Sequence, residues 1–307
     1  MTFGNECDEA EASRIFQCAR DAGVNMIDTA NVYSKGESER ITGNLLKGCR
    51  DEWIVTSKFQ GGVGTGPNDR GCTRRHVTRA IEDTLKRLQT DRIEFYFIHN
   101  IDPFTPLDET LRVLDDLVRQ GKILYPAISN AAAWQIVDGL RISERLNAAR
   151  FECIQPMYNL VKRQVEVEIL PMAQAMNLGV ICYSPIAAGL LTGKYGKGAP
   201  ESGRIASNKF YSARYAEEEY VETANRFCDF CEARSWNPAT VAVAWAAAHP
   251  AVTASIIGGR NVGQIQTALA ALDFPMTPAL REEISALSRT PPLATDRRDE
   301  QVGLFVH

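Results

Sequence analysis

Nowhere in the chain do eighteen apolar residues run together, which excludes a conventional membrane-spanning helix. The amino end, MTFGNECDEAEASRIF, carries no signal-peptide pattern and passes straight into an acidic amphipathic segment, so a cytoplasmic setting is the default expectation. An excess of one charge is missing too. The 34 Lys and Arg against 38 Asp and Glu leave a net charge of -4, so no global field favours nucleic acid or an anionic membrane. Only four histidines are present, and no set of His and Cys has metal-ligand spacing. A dinucleotide-binding glycine fingerprint after the first strand is absent as well: GGVGTG at 61–66 has the wrong glycine order and reads as a flexible loop.

What remains is the composition of an ordinary globular protein, 307 residues with 45% hydrophobic and 23% charged side chains, long enough for a sizeable core. Eight cysteines are scattered along it, mostly read as reduced, buried side chains; Cys228-Asp-Phe-Cys231 is formally a CxxC, but it lies inside a helical pattern with no second pair.

Short runs rich in Val, Ile, Phe and Tyr alternate with amphipathic segments throughout. Strands are predicted at 24–28, 53–57, 93–98, 124–129, 153–155, 179–183 and 253–257. Helices are predicted near 8–21, 37–47, 73–89, 106–119, 132–145, 165–176, 217–234, 238–248, 262–271 and 278–288. Repeated βα units without the glycine fingerprint favour an α/β fold of the (β/α)8 TIM barrel type over a doubly wound sheet, as a single domain over 1–307. The stretch 190–215 is too long for a plain connection and reads as a lid or binding loop.

Catalytic groups of such a barrel sit at the carboxyl ends of its strands. Those ends are Asp28, Lys58, His99, Ser129-Asn130, Gln155, Tyr183-Ser184 and Gly258-Gly259-Arg260, with Tyr33 in the turn after the first strand. Asp is also a common helix N-cap and Tyr a common half-buried residue, so the pair Asp28 and Tyr33 decides nothing alone. Four residues together say more. A tyrosine transferring protons near neutral pH needs a cation beside it, which Lys58 can supply, and a lysine facing inward needs a counter-charge, which Asp28 can supply. His99 can hydrogen-bond a substrate oxygen. One histidine and no carboxylate cluster at the strand ends argue against a metal-dependent barrel hydrolase.

The order Asp28, Tyr33, Lys58, His99 resembles the catalytic tetrad of the aldo-keto reductase superfamily. DTANVYSKGESE is similar to its first signature, GKILYPAISN to its mid-barrel segment, and IIGGRNVGQ to its cofactor-locking segment; QPMYNLV and YSPIAAGLLTGKY resemble the bacterial and potassium-channel β-subunit branch. The resemblance implies reduction of an aldehyde or ketone, a small-molecule carbonyl, by NADPH, with Tyr33 as general acid, Lys58 lowering its pKa, Asp28 holding Lys58, and His99 orienting the carbonyl. It implies that Ser129, Asn130 and Gln155 grip the nicotinamide amide and that Tyr183 stacks on the ring. Ser184, Ala187, Gly189 and Leu190 would follow the pyrophosphate, with Lys194 and Arg204 nearby, and Arg260 and Gln264, after Gly258 and Gly259, would clamp the 2′-phosphate. A fixed guanidinium there favours NADPH over NADH. The same branch also implies an alternative, an NADP(H)-binding regulatory or redox-sensing subunit with little turnover.

Departures are expected as well. Thr267 and Ala268 stand where the family carries an acid and an Asn for the adenine, and Pro126-Ala127 where a glycine is common. The hairpin and first barrel strand of the family have no counterpart before MTFG, so the expectation is a barrel lacking its first strand. From this follows either a reading frame starting about twenty residues earlier, the length of a strand plus a hairpin, or weak cofactor binding.

Overall fold

The computed structural model describes residues 2–195 and 203–295. In chain order the helices are α1 (Glu9–Asp21), α2 (Glu37–Leu45), α3 (Arg74–Leu88), α4 (Leu107–Arg119), α5 (Ala133–Leu146), α6 (Ile169–Ala175), α7 (Gly203–Ser207), α8 (Lys209–Arg214), α9 (Glu218–Glu232), α10 (Pro238–Ala247), α11 (Val262–Leu269) and α12 (Pro278–Ser285). The strands are β1 (Met26–Asp28), β2 (Ile54–Phe59), β3 (Ile93–Ile98), β4 (Ile123–Ser129), β5 (Cys153–Gln155), β6 (Gly179–Cys182) and β7 (Ala254–Ser255). Every predicted strand and helix has a counterpart. This succession of parallel strands and intervening helices is that of a (β/α)8 barrel with seven of its eight strands among the described residues.

The chain divides into two compact units, Met1–Pro156 with Ile256–Leu269, and Met157–Ser255 with Ala270–His307. In the first, β1 to β5 pair in parallel, each with the next in sequence. Residues aligned across neighbours include Asp28 with Thr56, Lys58 with Phe97, and Ser129 with Gln155, so the polar strand ends line up along one edge. Helices cover the sheet through buried stripes of helical period. On α3 these are Val77, Ala80, Ile81, Thr84, Leu85 and Leu88, and on α4 Thr110, Leu111, Val113, Leu114 and Leu117. Burying each such Leu or Ile contributes about 2 kcal/mol. Starts are set by caps: Asp8 accepts from the Glu11 N–H at α1, and Thr73 from the His76 N–H at α3. The segment before α1 turns tightly, the Gly4 N–H bonding the Cys7 carbonyl, and Cys7, Ala12, Ile15, Ile41 and Ile265 form a small core beneath it.

In the second unit β6 and β7 pair in parallel, Ile181 opposite Ala254. Helix α10 begins with Asn237 as its cap and Pro238 in the first turn, and is buried all round from Thr240 to Ala246. Its Trp245 stacks near Tyr158, ring centres 5.0 Å apart, and its indole N–H donates to Ser285 Oγ at 3.0 Å. Burial on every side suits the small residues of TVAVAWA at 240–246. The stretch 190–215, read as one long loop, starts within a tight turn at Ala187–Thr192 and holds the short helices α7 and α8; positions 196–202 of it lie outside the described residues. Among the described residues no helix is long and apolar enough to cross a membrane.

Candidate functional site

Lys58 is the centre of the polar edge of the first unit. Alternation along β2 puts Thr56 and Lys58 on one face, toward Asp28 at the end of β1. The Lys58 side chain is fully buried, and its ammonium donates to Asp28 Oδ2 at 2.5 Å, to the Thr29 carbonyl at 2.9 Å and to the Tyr33 hydroxyl at 3.4 Å. An ammonium has three donors, and all three are placed. Burial opposes the charge on Lys58, but the Asp28 carboxylate and the Tyr33 oxygen outweigh it and raise its pKa, so it stays protonated. Burial likewise opposes the Asp28 charge; the Lys58 charge, with hydrogen bonds from Lys58, Thr56 and Gln155, holds its pKa below the ordinary value. Thr56 Oγ donates to Asp28 at 2.6 Å and Gln155 Nε2 at 2.9 Å.

Tyr33 is carried by a short turn in which Ser34 and Lys35 both take left-handed backbone angles, φ 50° and 56°. Such angles cost roughly 1–3 kcal/mol each for non-glycine residues and persist where surrounding contacts enforce them. Two contacts do so: the ladder continues past β1, with the Asn31 N–H bonding the Lys58 carbonyl at 3.2 Å, and Ser34 Oγ donates to the Phe3 carbonyl at 2.9 Å. His99 follows β3 and meets the Tyr33 ring edge-on, centres 5.8 Å apart. Burial, reinforced by the positive charge of Lys58, pushes its pKa down to about 4, so at neutral pH it is an uncharged imidazole able to donate one hydrogen bond.

The structure therefore brings Asp28, Tyr33, Lys58 and His99 together, and adds Gln155 and Ser129 beside them. Ser129 Oγ donates to the Gln155 carbonyl at 2.8 Å, while Asn130, left-handed at φ 54°, donates from Nδ2 to the His99 carbonyl at 3.0 Å. Thr56 and Gln155 as partners of Asp28 were not foreseen. Thr56 stands two residues before Lys58 on the same strand face, a signal that was readable; the turn of Gln155 toward Asp28 had none.

In the same unit, exposed Gly258 and buried Gly259 lead to Arg260, whose N–H donates to Gln264 Oε1 at 2.9 Å. In the second unit, Tyr183 pairs with Met157 in a parallel bridge, and the Ser184 carbonyl accepts from Asn159 Nδ2 at 3.0 Å. Ile186, at φ -96° and ψ 14°, is followed by left-handed Ala187, Ala188 and Gly189, φ 49°, 56° and 95°. The turn is closed by its own backbone: the Ala187 N–H bonds the Ser184 carbonyl at 3.0 Å and the Gly189 N–H the Ile186 carbonyl at 2.9 Å. Lys194 lies close against Gly189: a β-carbon there would stand 2.6 Å from its ammonium nitrogen. Glycine at 189 thus serves both the φ and the lysine. Ala187 and Leu190 are buried. Arg204 lies on α7, its side chain outside the described residues. A lysine ammonium beside a tight backbone turn suits a dinucleotide's phosphates, and of the residues read for them Lys194 is the described cation that fits such a cofactor.

Elsewhere, Cys228 and Cys231 are unpaired, and burial pushes their thiols up to about 11 and about 12, which removes thiolate chemistry at neutral pH. Among the described residues no three His, Cys, Asp or Glu side chains are grouped to hold a metal ion.

A model of the aldo/keto reductase family matches residues 1–289. A protein of Oryza sativa subsp. japonica described as a probable voltage-gated potassium channel subunit beta is 34% identical over 305 residues, 96% of this chain and 93% of its own length. An Arabidopsis thaliana protein of the same description is 33% identical over 301 residues, 95% and 92% of the two chains. An uncharacterized oxidoreductase of Bacillus subtilis (strain 168) is 36% identical over 290 residues, 90% and 86% of the two chains.

Proposed function

The chain belongs to the aldo/keto reductase family, and from that premise we propose that it reduces an aldehyde or ketone to an alcohol, with NADPH as reductant and Tyr33 as general acid. The observation that carries the reading is the buried Lys58 ammonium held between the Asp28 carboxylate and the Tyr33 hydroxyl. The cofactor, when bound, supplies the hydride that reaches the carbonyl carbon. Tyr33 passes its hydroxyl proton to the carbonyl oxygen as negative charge builds there, and the adjacent ammonium stabilises the phenolate left behind. Asp28 keeps Lys58 charged and in place. Neutral His99 donates a hydrogen bond to the same oxygen, orienting the carbonyl and sharing the developing charge.

Ser129, Asn130 and Gln155 are the groups for the nicotinamide carboxamide, and Tyr183 for its ring. The Ser184, Ala187, Gly189, Leu190 turn with Lys194 and Arg204 serves the pyrophosphate, and Arg260 with Gln264, after Gly258 and Gly259, the 2′-phosphate. The substrate is a small carbonyl compound. Purified protein incubated with NADPH and a panel of aldehydes and ketones should oxidise the cofactor in proportion to alcohol formed; absence of turnover across the panel would count against an enzyme.

A second reading rests on the description of the rice and Arabidopsis relatives as probable channel β-subunits. In it the chain is an NADP(H)-binding regulatory or redox-sensing subunit. Tight NADPH binding with no turnover on any carbonyl would select it.

A further inference from the structure

Arg260 is not a solitary cation. Its Nε and terminal nitrogen donate to the two carboxylate oxygens of Glu6, at 3.0 and 3.1 Å, a two-pronged pair joining residues 254 apart in sequence. Glu6 belongs to the tight turn before α1, which is seated on α11 through the small core containing Cys7 and Ile265. The pair is thus placed by packing and not by chance meeting of two surface chains. A second carboxylate from the same end of the chain, Glu11 on α1, accepts the Val262 N–H at 2.9 Å and so caps the start of α11; Glu11 itself is paired with Arg14. Gln264 and Asn261 hold the Arg260 and Gln264 N–H groups.

We propose that Glu6 is a specificity-determining residue for the dinucleotide, setting how strongly Arg260 favours a 2′-phosphate over a 2′-hydroxyl. The proposal rests on the reading of Arg260 as the group for that position. The guanidinium and Glu6 side chains are 40% and 30% exposed, so their pair is weak enough for a ligand to open. A 2′-phosphate bound to Arg260 must take the nitrogens that Glu6 occupies, and the displaced carboxylate then remains as a like charge beside it. A ribose 2′-hydroxyl meets the opposite situation, because a carboxylate accepts its proton in a hydrogen bond. Glu6 therefore disfavours NADPH and favours NADH, moderating the preference that Arg260 alone would impose.

The test is equilibrium binding of NADPH and NADH by calorimetry, with wild-type protein, Glu6→Gln, Arg260→Ala and the double variant, each checked for an unchanged circular dichroism spectrum. Gln keeps the size of the side chain and removes the charge. Expected is an NADPH affinity raised about fivefold or more in Glu6→Gln, which is roughly 1 kcal/mol, with NADH affinity unchanged or lowered. In the Arg260→Ala background the same substitution should raise NADPH affinity by less than half that factor. The pair 2′-AMP and 5′-AMP gives the same comparison without the nicotinamide. Equal effects of Glu6→Gln on the two dinucleotides, or none, overturn the proposal while leaving the reductase reading intact. If Arg260→Ala lowers the affinities of NADPH and NADH alike, the assignment of Arg260 itself fails, and Glu6 with it. Failure of wild-type protein to bind either dinucleotide overturns both the proposal and the reductase reading.

Discussion

Lys58 Nζ lies 2.5 Å from Asp28 Oδ2, and the lysine side chain has no contact with solvent. Removing one partner of such a buried pair leaves an uncompensated charge, which costs about 3–5 kcal/mol. Lys58→Met is therefore expected to lower unfolding free energy by about that amount in urea melts. Asp28→Leu with Lys58→Met removes both charges: the Thr56 and Gln155 donors lose an acceptor, the Thr29 carbonyl and Tyr33 hydroxyl lose the ammonium as they do in Lys58→Met, and no buried charge is left uncompensated. The double variant should be more stable than Lys58→Met alone. Strictly additive losses would show that the two residues do not depend on one another.

Tyr33→Phe removes one oxygen from the site and none of its packing. Loss of general acid catalysis is worth about 10²–10⁴-fold. Carbonyl reduction should fall by that factor while NADPH affinity, read by calorimetry, stays within twofold on the order of measurement error. Turnover at the wild-type rate would take the proton-donor role away from Tyr33 and pass it to another group.

The pKa of His99 gives a pH signature with a definite sign. Its folded value, about 4, is below the ordinary 6.5, so the unfolded chain takes up the proton first as the solution is acidified. Stability from this group is complete above pH 6.5 and is lost as pH falls toward 4. At 1.36 kcal/mol per unit the loss is on the order of 3 kcal/mol. Other groups titrate in that window, including His76 and His249, also lowered chiefly by burial. The informative quantity is the difference between wild type and His99→Asn: the gap in unfolding free energy should narrow between pH 7 and pH 4. A constant gap would show that His99 is already protonated or freely solvated in the fold.

How far these features were legible in the sequence depends on whether their cause is local. The run IEFYFI at 93–98 is bounded by polar residues and matches β3 at both ends, because a strand buried between covered faces ends where the apolar run ends. Caps such as Asp8 and Thr73 mark their helices for the same reason. The last strand, expected over 253–257, is ladder only at Ala254–Ser255, since its length is set by its partner Ile181–Cys182 and not by its own residues. Helices α7 and α8 are too short for a periodic signature and were read as loop. In the site, Lys58 was recognisable as a polar strand end, but its complete burial depends on β1 supplying Asp28 and the Thr29 carbonyl. The Glu6–Arg260 pair had no local trace at all.

A paired substitution tests the packing of α2 against α3. Gly43 lies in α2, where its neighbour is the backbone at the end of α3: a β-carbon on it would stand 2.6 Å from the Leu88 carbonyl oxygen and 2.7 Å from that of Arg87. Backbone cannot swing aside as a side chain can, so the two helices would have to separate. By propensity alone Gly→Ala in a helix gains about 1 kcal/mol, whereas overpacking costs about 1–3 kcal/mol, more where a fixed carbonyl is the obstacle. The clash should win, and Gly43→Ala is expected to destabilise the protein by about 2 kcal/mol in urea melts. Gly263, on the exposed side of α11, meets nothing nearer than the Asn261 side-chain oxygen at 3.5 Å. There the same substitution should stabilise by a few tenths to about 1 kcal/mol. Opposite signs from one chemical change would locate the cause in the contact between α2 and α3; a gain at both positions would mean that the helices relax apart at no cost.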